Sequence, residues 1–248
     1  MSPEFDFEGT FGDDYFYFYA SYLTDERNRA DTAVVTALLD LQPSDRVLDA
    51  PCGHGRIANL LDARVVGVDA TALFVERARA DATDSGREID FRVGDMRSLP
   101  VADGEFDAAF SWFTSFGYFD DEGNRSVLRE YARALRPGGR LLIEMLNRDN
   151  IIRRHTAPPF AFVTSVGDDQ MIDQSWFDPI TGRIETDRVM VRDGHVRRTH
   201  HFVRLLAITE WVAWLDEAGF VDPRFVGHDG EPVTIHTDRL VVLATRSP

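Results

Sequence analysis

The chain has 248 residues, 44% hydrophobic and 28% charged, and sets 27 arginines and no lysine against 42 acidic residues, a formal net charge of −15. The missing lysine excludes pyridoxal-phosphate Schiff bases, P-loop and kinase-type phosphate lysines and any lysine base, and the acidic balance argues against nucleic acid or an anionic membrane as a partner. No apolar run approaches the roughly 18 residues of a membrane span, the acidic N-terminus has neither the basic nor the apolar region of a signal peptide, and the lone Cys52 fits a reducing cytoplasm.

Nine of the 28 aromatic residues fall in the first 22 positions, among them Tyr15, Phe16, Tyr17, Phe18 and Tyr19. Residues 1–24 therefore read as an aromatic arm; if it is extended, alternation puts Tyr15, Tyr17 and Tyr19 on one face. A helix follows at 25–41, with Ala33, Val34, Ala37, Leu38 and Leu41 at helical spacing and Pro43 as the stop. RVLDA at 46–50 is a strand running into PCGHGR, Ile57–Leu61 reads as a helix, and RVVGVD at 64–69 is a second strand. A helix through Phe74, Val75, Ala78 and Ala82 leads to strands at 89–95, 105–111 and 139–146, with a helix at 121–135 ended by RPGG. Strands alternating with helices predict an α/β fold, a doubly wound, mostly parallel seven-stranded sheet. Beyond 155 the period becomes two, so 157–206 reads as an antiparallel β insertion within a single domain spanning 25–248. A helix in EWVAWLDEAGF and strands in FVDPRFVGHDG and RLVVLAT close the chain.

In such a sheet, ligands bind beyond the carboxyl ends of the strands, where strand order reverses. VLDAPCGHGR places Gly53 and Gly55 where backbone can approach a ligand, with a helix start beside them offering free N–H groups. Asp69, at the tip of the second strand, is placed to accept both hydroxyls of a ribose, so the site expects a nucleoside. A dinucleotide needs G-x-G-x-x-G for its pyrophosphate; here Asp49 stands inside the loop and suits a cationic ligand instead.

The ordered set VLDAPCGHG, VVGVD, FRVGDM, FDAAFSWFTSFGYF and LRPGGRLLIEMLNRD resembles the class I S-adenosylmethionine-dependent methyltransferases. Within them it looks most like small-molecule enzymes of natural-product pathways, such as lincosamide and amino-sugar N-methyltransferases. The resemblance implies a Rossmann-like methyltransferase fold and S-adenosyl-L-methionine as cofactor, with S-adenosyl-L-homocysteine as product. It puts Asp49, Ala50, Gly53 and Gly55 around the methionine end, Asp69 on the ribose, Asp95 and Met96 on the adenine, and Ser111 at the methionyl part. Pro51 departs from the family's D-x-G-x-G-x-G, and because proline lacks an N–H, a ligand contact at that position is in doubt.

The expected reaction is methyl transfer to a nitrogen or oxygen of a small specialised metabolite. Tyr17 and His155 are candidates to orient or deprotonate the acceptor, and Tyr15, Phe116, Tyr118, Asn147 and Arg148 to line its pocket. The aromatic arm is either a hydrophobic clamp on the core or on a second subunit, or a lid over the sulfonium; the expected assembly is a homo-oligomer. Adjacent His200 and His201 point to opposite faces of a strand and read as a solvated strand rather than a metal site, so no metal is expected. Arg192, Arg197, Arg198 and Arg204 read as ion-pairing residues or an oligomer contact, and Cys52 as a small loop residue. Two alternatives are a cyclase or isomerase that binds the cofactor without transferring methyl, and a nucleic-acid or protein methyltransferase. SWFTSF stands where the latter's base-flipping members carry an Asn or Asp, Pro, Pro, aromatic motif.

Overall fold

The structure is a computed structural model that describes residues 5, 7–154 and 160–248, without the side chain of Glu8. In chain order its elements are α1 (Phe7–Thr10), α2 (Asp13–Tyr19), α3 (Asp25–Leu38), β1 (Arg46–Asp49), β2 (Arg64–Asp69), α4 (Ala72–Asp84), β3 (Asp90–Val93), β4 (Phe106–Ser111), α5 (Asp121–Ala134) and β5 (Leu135–Leu146). The chain continues through α6 (Arg148–Arg154), β6 (Phe160–Val166), β7 (Asp169–Asp178), β8 (Arg183–Arg192), β9 (His195–Arg204), α7 (Ile208–Glu217), β10 (Phe220–Val226) and β11 (Arg239–Arg246).

Seven strands form one sheet in the order β10-β11-β5-β4-β1-β2-β3, parallel from β3 to β5 and antiparallel where β11 pairs with β5 and β10. Val47 and Leu48 of β1, and Val65, Val66 and Val68 of β2, are all buried. Such continuous apolar runs are what strands covered on both faces require. The helices supply that cover, splitting the core into two clusters, one around Phe106, Tyr131 and Trp211 and the other around Val35, Val75 and Phe91. Local signals place the helix ends: Thr24 Oγ1 caps α3 by accepting from Arg27 N at 3.3 Å, and Asp120 caps α5 by accepting from Gly123 N at 2.8 Å. Strand β1 lies between β2 and β4, so successive crossovers leave it in opposite directions and a crevice opens above its carboxyl end.

The second sheet is the antiparallel ladder β6-β7-β8-β9. It packs through Met171 and Met190 against Phe18 of α2.

Three local expectations are corrected. The arm is helical rather than extended: YFYFY is aromatic at every position, so it carries no period, and helical spacing brings Tyr15 and Tyr19 face to face with ring centroids 4.7 Å apart. Ile57–Leu61 forms consecutive turns rather than a helix, because only Asn59 N to Gly55 O and Leu61 N to Ile57 O close α-type bonds before β2 begins. RPGG does not separate α5 from a strand starting at 139; β5 begins at Leu135, and the register against β4 shifts between Phe106 and Ala108 to absorb the extra residues.

Candidate active site

Above the carboxyl end of β1 the crevice holds two connected cavities. The first is lined by Gly53, Asp69, Phe74, Asp95, Met96 and Tyr118, among others. The second, narrower and nearer β1, is lined by Asp49, His54, Arg56 and Phe113, and shares Tyr15, Pro51, Gly53, Phe74 and Ser115 with the first.

Asp69 is fixed before any ligand arrives: Oδ2 accepts from Gly53 N and Oδ1 from Thr71 N, both at 2.8 Å. Each oxygen keeps a second lone pair for a hydroxyl. Burial raises its carboxyl above the usual range, against the pull of these N–H bonds. Asp49 is 3% exposed. Burial pushes its carboxyl well up; the Arg56 charge opposes this and the Asp69 charge adds to it. Two carboxylates so placed gain most from a cationic ligand.

Gly53 has φ +54°, and a Cβ added there would meet only Phe74, at 3.9 Å, so it leaves open room along the cleft. Gly55 is different. A Cβ there would come within 2.9 Å of Ala78 Cβ and Phe91 Cζ, so this glycine serves the packing of the turn on α4 and β3 rather than a ligand. Ala50 and Ser111 are fully buried beneath the cavities; Ala50 N donates to Phe110 O, and its carbonyl accepts from the Tyr131 hydroxyl. Neither lines the cleft; Ser115, four residues beyond Ser111, lines both cavities. Asp95 and Met96 do lie on the cleft, with the Asp95 carboxylate held by the Arg97 guanidinium at 2.6 Å.

Arg56 was missed in the sequence. Its side chain is 8% exposed, and Nη1 donates to Asp31 Oδ2 at 2.7 Å and to Asn28 Oδ1 at 3.2 Å. Nη2 is buried without a partner among the described residues. The signal available was its place directly after Gly55, in the ligand-facing turn. Phe74, in the first turn of α4, was also missed as a site residue; Tyr15 and Phe16 pack on it at 5.3 and 4.9 Å. His54 lies against Phe16, and burial together with the Arg56 charge lowers its pKa to about 4. Cys52 is buried; burial and the Asp49 and Asp69 charges hold its thiol protonated, so it is no nucleophile.

A third cavity lies between the arm, the loop after β4 and the antiparallel sheet. Phe11, Tyr15, Ser115 and Tyr118 line both this cavity and the first. Tyr15 and Tyr118, expected to line the acceptor pocket, therefore lie on the wall between the two cavities. Tyr17, Phe116, Asn147 and Arg148 do not line either cavity. Tyr17 lies on the far side of α2, its hydroxyl donating to Asp169 Oδ2 at 2.6 Å, which raises its pKa; it ties the arm to the β6–β7 turn. Phe116 is in the core against Trp211 at 5.0 Å. Asn147 locks the loop before β11, Nδ2 donating to Thr234 O and Thr237 O. Arg148 faces an outer groove with Asp121, Gly182 and Glu210. His155 lies outside the described residues.

His200 faces outward, within 3.0 Å of Glu185 and 2.9 Å of Asp187, whereas His201 lines the third cavity, correcting its reading as part of a solvated strand. Arg192 and Arg197 both pair with Asp14 of α2, at 2.9 and 2.7 Å, and Arg204 with Asp121 and Glu210.

This sheet order, with a carboxylate at the tip of β2 and a Gly-bearing turn after β1, defines a Rossmann-like methyltransferase fold. Residues 47–139 match the family described as Methyltransferase domain. The chain is 36% identical over 115 residues to 27-O-demethylrifamycin SV methyltransferase of Amycolatopsis mediterranei, covering 44% of this chain and 41% of that protein. It is 29% identical over 188 residues to the ubiquinone biosynthesis O-methyltransferase of Xanthomonas oryzae, covering 74% and 65%. It spans between 35% and 65% of the length of the curated relatives it matches. The solved CcbJ methyltransferase of Streptomyces caelestis superposes with a TM-score of 0.80 at 19% identity over 97% of this chain and 99% of that one. The amino-pentose methyltransferase CalS10 of Micromonospora echinaspora, solved with S-adenosylmethionine bound, gives 0.65 at 20% identity over 93% and 97%.

The cofactor of these methyltransferases, S-adenosyl-L-methionine, fits the residues present. Asp69 offers lone pairs for the ribose diol, Arg56 a buried N–H with no partner among the described residues for a carboxylate, Asp49 a buried carboxyl whose ionised form an ammonium would favour, and the aromatic faces of Tyr15 and Phe74 attract a cation.

Proposed function

We propose that this chain transfers the methyl group of S-adenosylmethionine to a nitrogen or oxygen of a small specialised metabolite. The observation that carries the reading is the shared wall: Tyr15, Ser115, Tyr118 and Phe11 line both the cleft that suits the nucleoside and a separate cavity large enough for a small acceptor. When bound, the cofactor's sulfonium supplies an already activated methyl group. What remains for the chain is to bind, aim and exclude water. Asp69 and Arg56 anchor the two ends of the cleft. The aromatic arm covers the junction, with Phe11, Tyr15 and Phe74 in mutual contact at 5.3 to 6.1 Å.

The reading includes a cytoplasmic enzyme that acts as a homo-oligomer without nucleic acid or membrane partners. Among the described residues, no helix is long and apolar enough to cross a membrane. Incubation with labelled S-adenosylmethionine and an extract of small metabolites tests the reaction. A product heavier by one methyl supports it; cofactor-dependent conversion with no mass change supports an isomerase instead, and no binding of S-adenosylmethionine or S-adenosylhomocysteine removes both.

A further inference from the structure

We infer that the inward face of the antiparallel sheet recognises the acceptor, and that the acceptor is compact, hydroxylated and uncharged in the part this cavity encloses. This rests on the methyl-transfer reading and narrows its substrate.

The strand register lays four cross-strand rows on that face: Met171 with Met190 and Arg197, Asp173 with Arg188 and Thr199, Ser175 with Thr186 and His201, and Phe177 with Ile184 and Val203. The outer rows are apolar except for Arg197, which pairs with Asp14 of α2, as a face packed on the core and the arm should be. The two middle rows are polar, and Asp173, Ser175, Thr186, Arg188 and His201 all line the third cavity. Thr186 and Arg188 are nonetheless 6% and 5% exposed. Polar groups held this deep cost free energy unless each finds a partner.

Several do not. Among the described residues His201 Nδ1 has no hydrogen-bond partner, and neither has Thr10 Oγ1 of α1, another residue of the cavity wall. Ser175 and Thr186 share a single bond of 2.9 Å between hydroxyls. One of the two hydroxyl protons bridges the pair, and the other has no acceptor among the described residues. The band thus presents an imidazole nitrogen that donates or accepts according to tautomer at His201, a hydroxyl that does both at Thr10, and a free O–H at the Ser175–Thr186 pair, a set that a ligand's hydroxyl groups satisfy in both directions.

The charges in the wall are already used. Arg188 is bidentate to Asp173, at 2.7 and 2.8 Å, and Arg239 is bound to the buried Glu144. Burial and the neighbouring Arg188 charge hold His201 near a pKa of about 4, so its ring is neutral at neutral pH. A carboxylate or phosphate would meet no unpaired cation on this wall, and an ammonium no unpaired carboxylate. A site built to bond hydroxyls discriminates steeply against analogues that lack them, because its own polar groups are then left without partners.

Saturation-transfer NMR tests this with three rings: methyl α-glucopyranoside, glucuronate and cyclohexanol, each with and without saturating S-adenosylhomocysteine. Methyl α-glucopyranoside should bind about tenfold more tightly than either of the others. Ser175→Ala and His201→Phe should each weaken it about fivefold, as loss of one hydrogen bond predicts, while His200→Ala, on the outer face, should leave it unchanged. Equal or tighter binding of cyclohexanol or glucuronate, no binding of methyl α-glucopyranoside, or variants that bind it as the wild type does would overturn the inference. Titration calorimetry with S-adenosylhomocysteine separates the two readings: if it does not bind, the methyl-transfer reading falls, while the ring comparison without it still decides the polar band.

Discussion

Replacing Arg188 by methionine tests how the acceptor cavity is held together. The guanidinium makes two bonds to Asp173 and one, at 3.1 Å, to the Tyr19 hydroxyl, so it links the sheet to α2 and, through the Tyr19–Tyr15 stack, to the cofactor cleft. Side-chain exposures are 6% for Arg188 and 15% for Asp173. Removing one partner of a buried pair costs about 3–5 kcal/mol, because the survivor is left charged and unpaired. Water still reaches Asp173, so the low end applies, about 3 kcal/mol, or roughly 6–12 °C in melting temperature for a chain of this size. The double variant Arg188→Met with Asp173→Leu strands no charge and should lie within about 1 kcal/mol of the wild type. Urea titration of the four proteins in the double-mutant cycle measures both quantities. If Arg188→Met costs less than about 1 kcal/mol, or the double variant loses as much as Arg188→Met alone, the pair is not a buried ion pair in solution.

Three further outcomes follow from the same geometry. Asp69→Asn exchanges an acceptor for an NH2 group in a nest of donors and should weaken S-adenosylhomocysteine binding about ten- to a hundredfold by calorimetry; an unchanged affinity would remove Asp69 from the site. Tyr17→Phe should leave turnover intact, because its hydroxyl bonds Asp169 on the far side of α2 from the cavities; a large fall in turnover with the arm still docked would restore it to the catalytic list. Glu144 sits at about 2, because burial, which alone would raise it, is overcome by the charge and hydrogen bonds of Arg239, with His228 and Phe113 N adding to them. A carboxyl depressed in the folded state stabilises it above its unfolded pKa and loses that contribution as pH falls through the folded one. The stability gap between wild type and Glu144→Gln should therefore be roughly 3 kcal/mol above pH 5 and close between about pH 4.5 and 2; a gap independent of pH in that window would refute the pairing.

The crossover half of the molecule was legible because its chemistry and its period agree. Val47, Leu48, Val65, Val66 and Val68 announce buried parallel strands, and Asp49 and Asp69 stand at strand ends, where ligands gather. The arm was not, since five consecutive aromatics satisfy period two and period 3.6 equally, and only the stack of Tyr15 on Tyr19 decides for the helix. Phe116 was read as lining the pocket because it follows β4 on the ligand side. Its neighbour Gly117, however, approaches Arg204 O so closely that a Cβ would lie 2.5 Å away, and the loop there dives into the core. The polar band on the antiparallel sheet was hidden for another reason. Polar residues occur on both faces of β7, β8 and β9, so alternation alone does not say which face is inward; that depends on which row meets Phe18 of α2.

The loop after β4 shows what a buried charge pair at the edge of the acceptor cavity does beyond meeting a ligand. Phe113 and Thr114 are consecutive non-glycine residues at φ +66° and +57°, a conformation that costs about 1–3 kcal/mol per residue and persists only when its surroundings enforce it. Here they do. Glu144 Oε2 accepts from Phe113 N at 2.7 Å, Glu144 O accepts from Thr114 N at 3.1 Å, and Arg239, itself paired with Glu144, donates to Thr114 Oγ1 at 2.7 Å. The twist carries Phe113 into the walls of the second and third cavities and Ser115 into all three. A relaxed loop would withdraw the residues that separate nucleoside from acceptor. Glu144 and Arg239 touch neither the nucleoside cleft nor its turn, yet they aim the partition between the two halves of the site. Glu144 lies within the LRPGGRLLIEMLNRD stretch but Arg239 belongs to no motif, and it is the pairing of β5 with β11, which places Arg239 opposite Leu146, that brings them together.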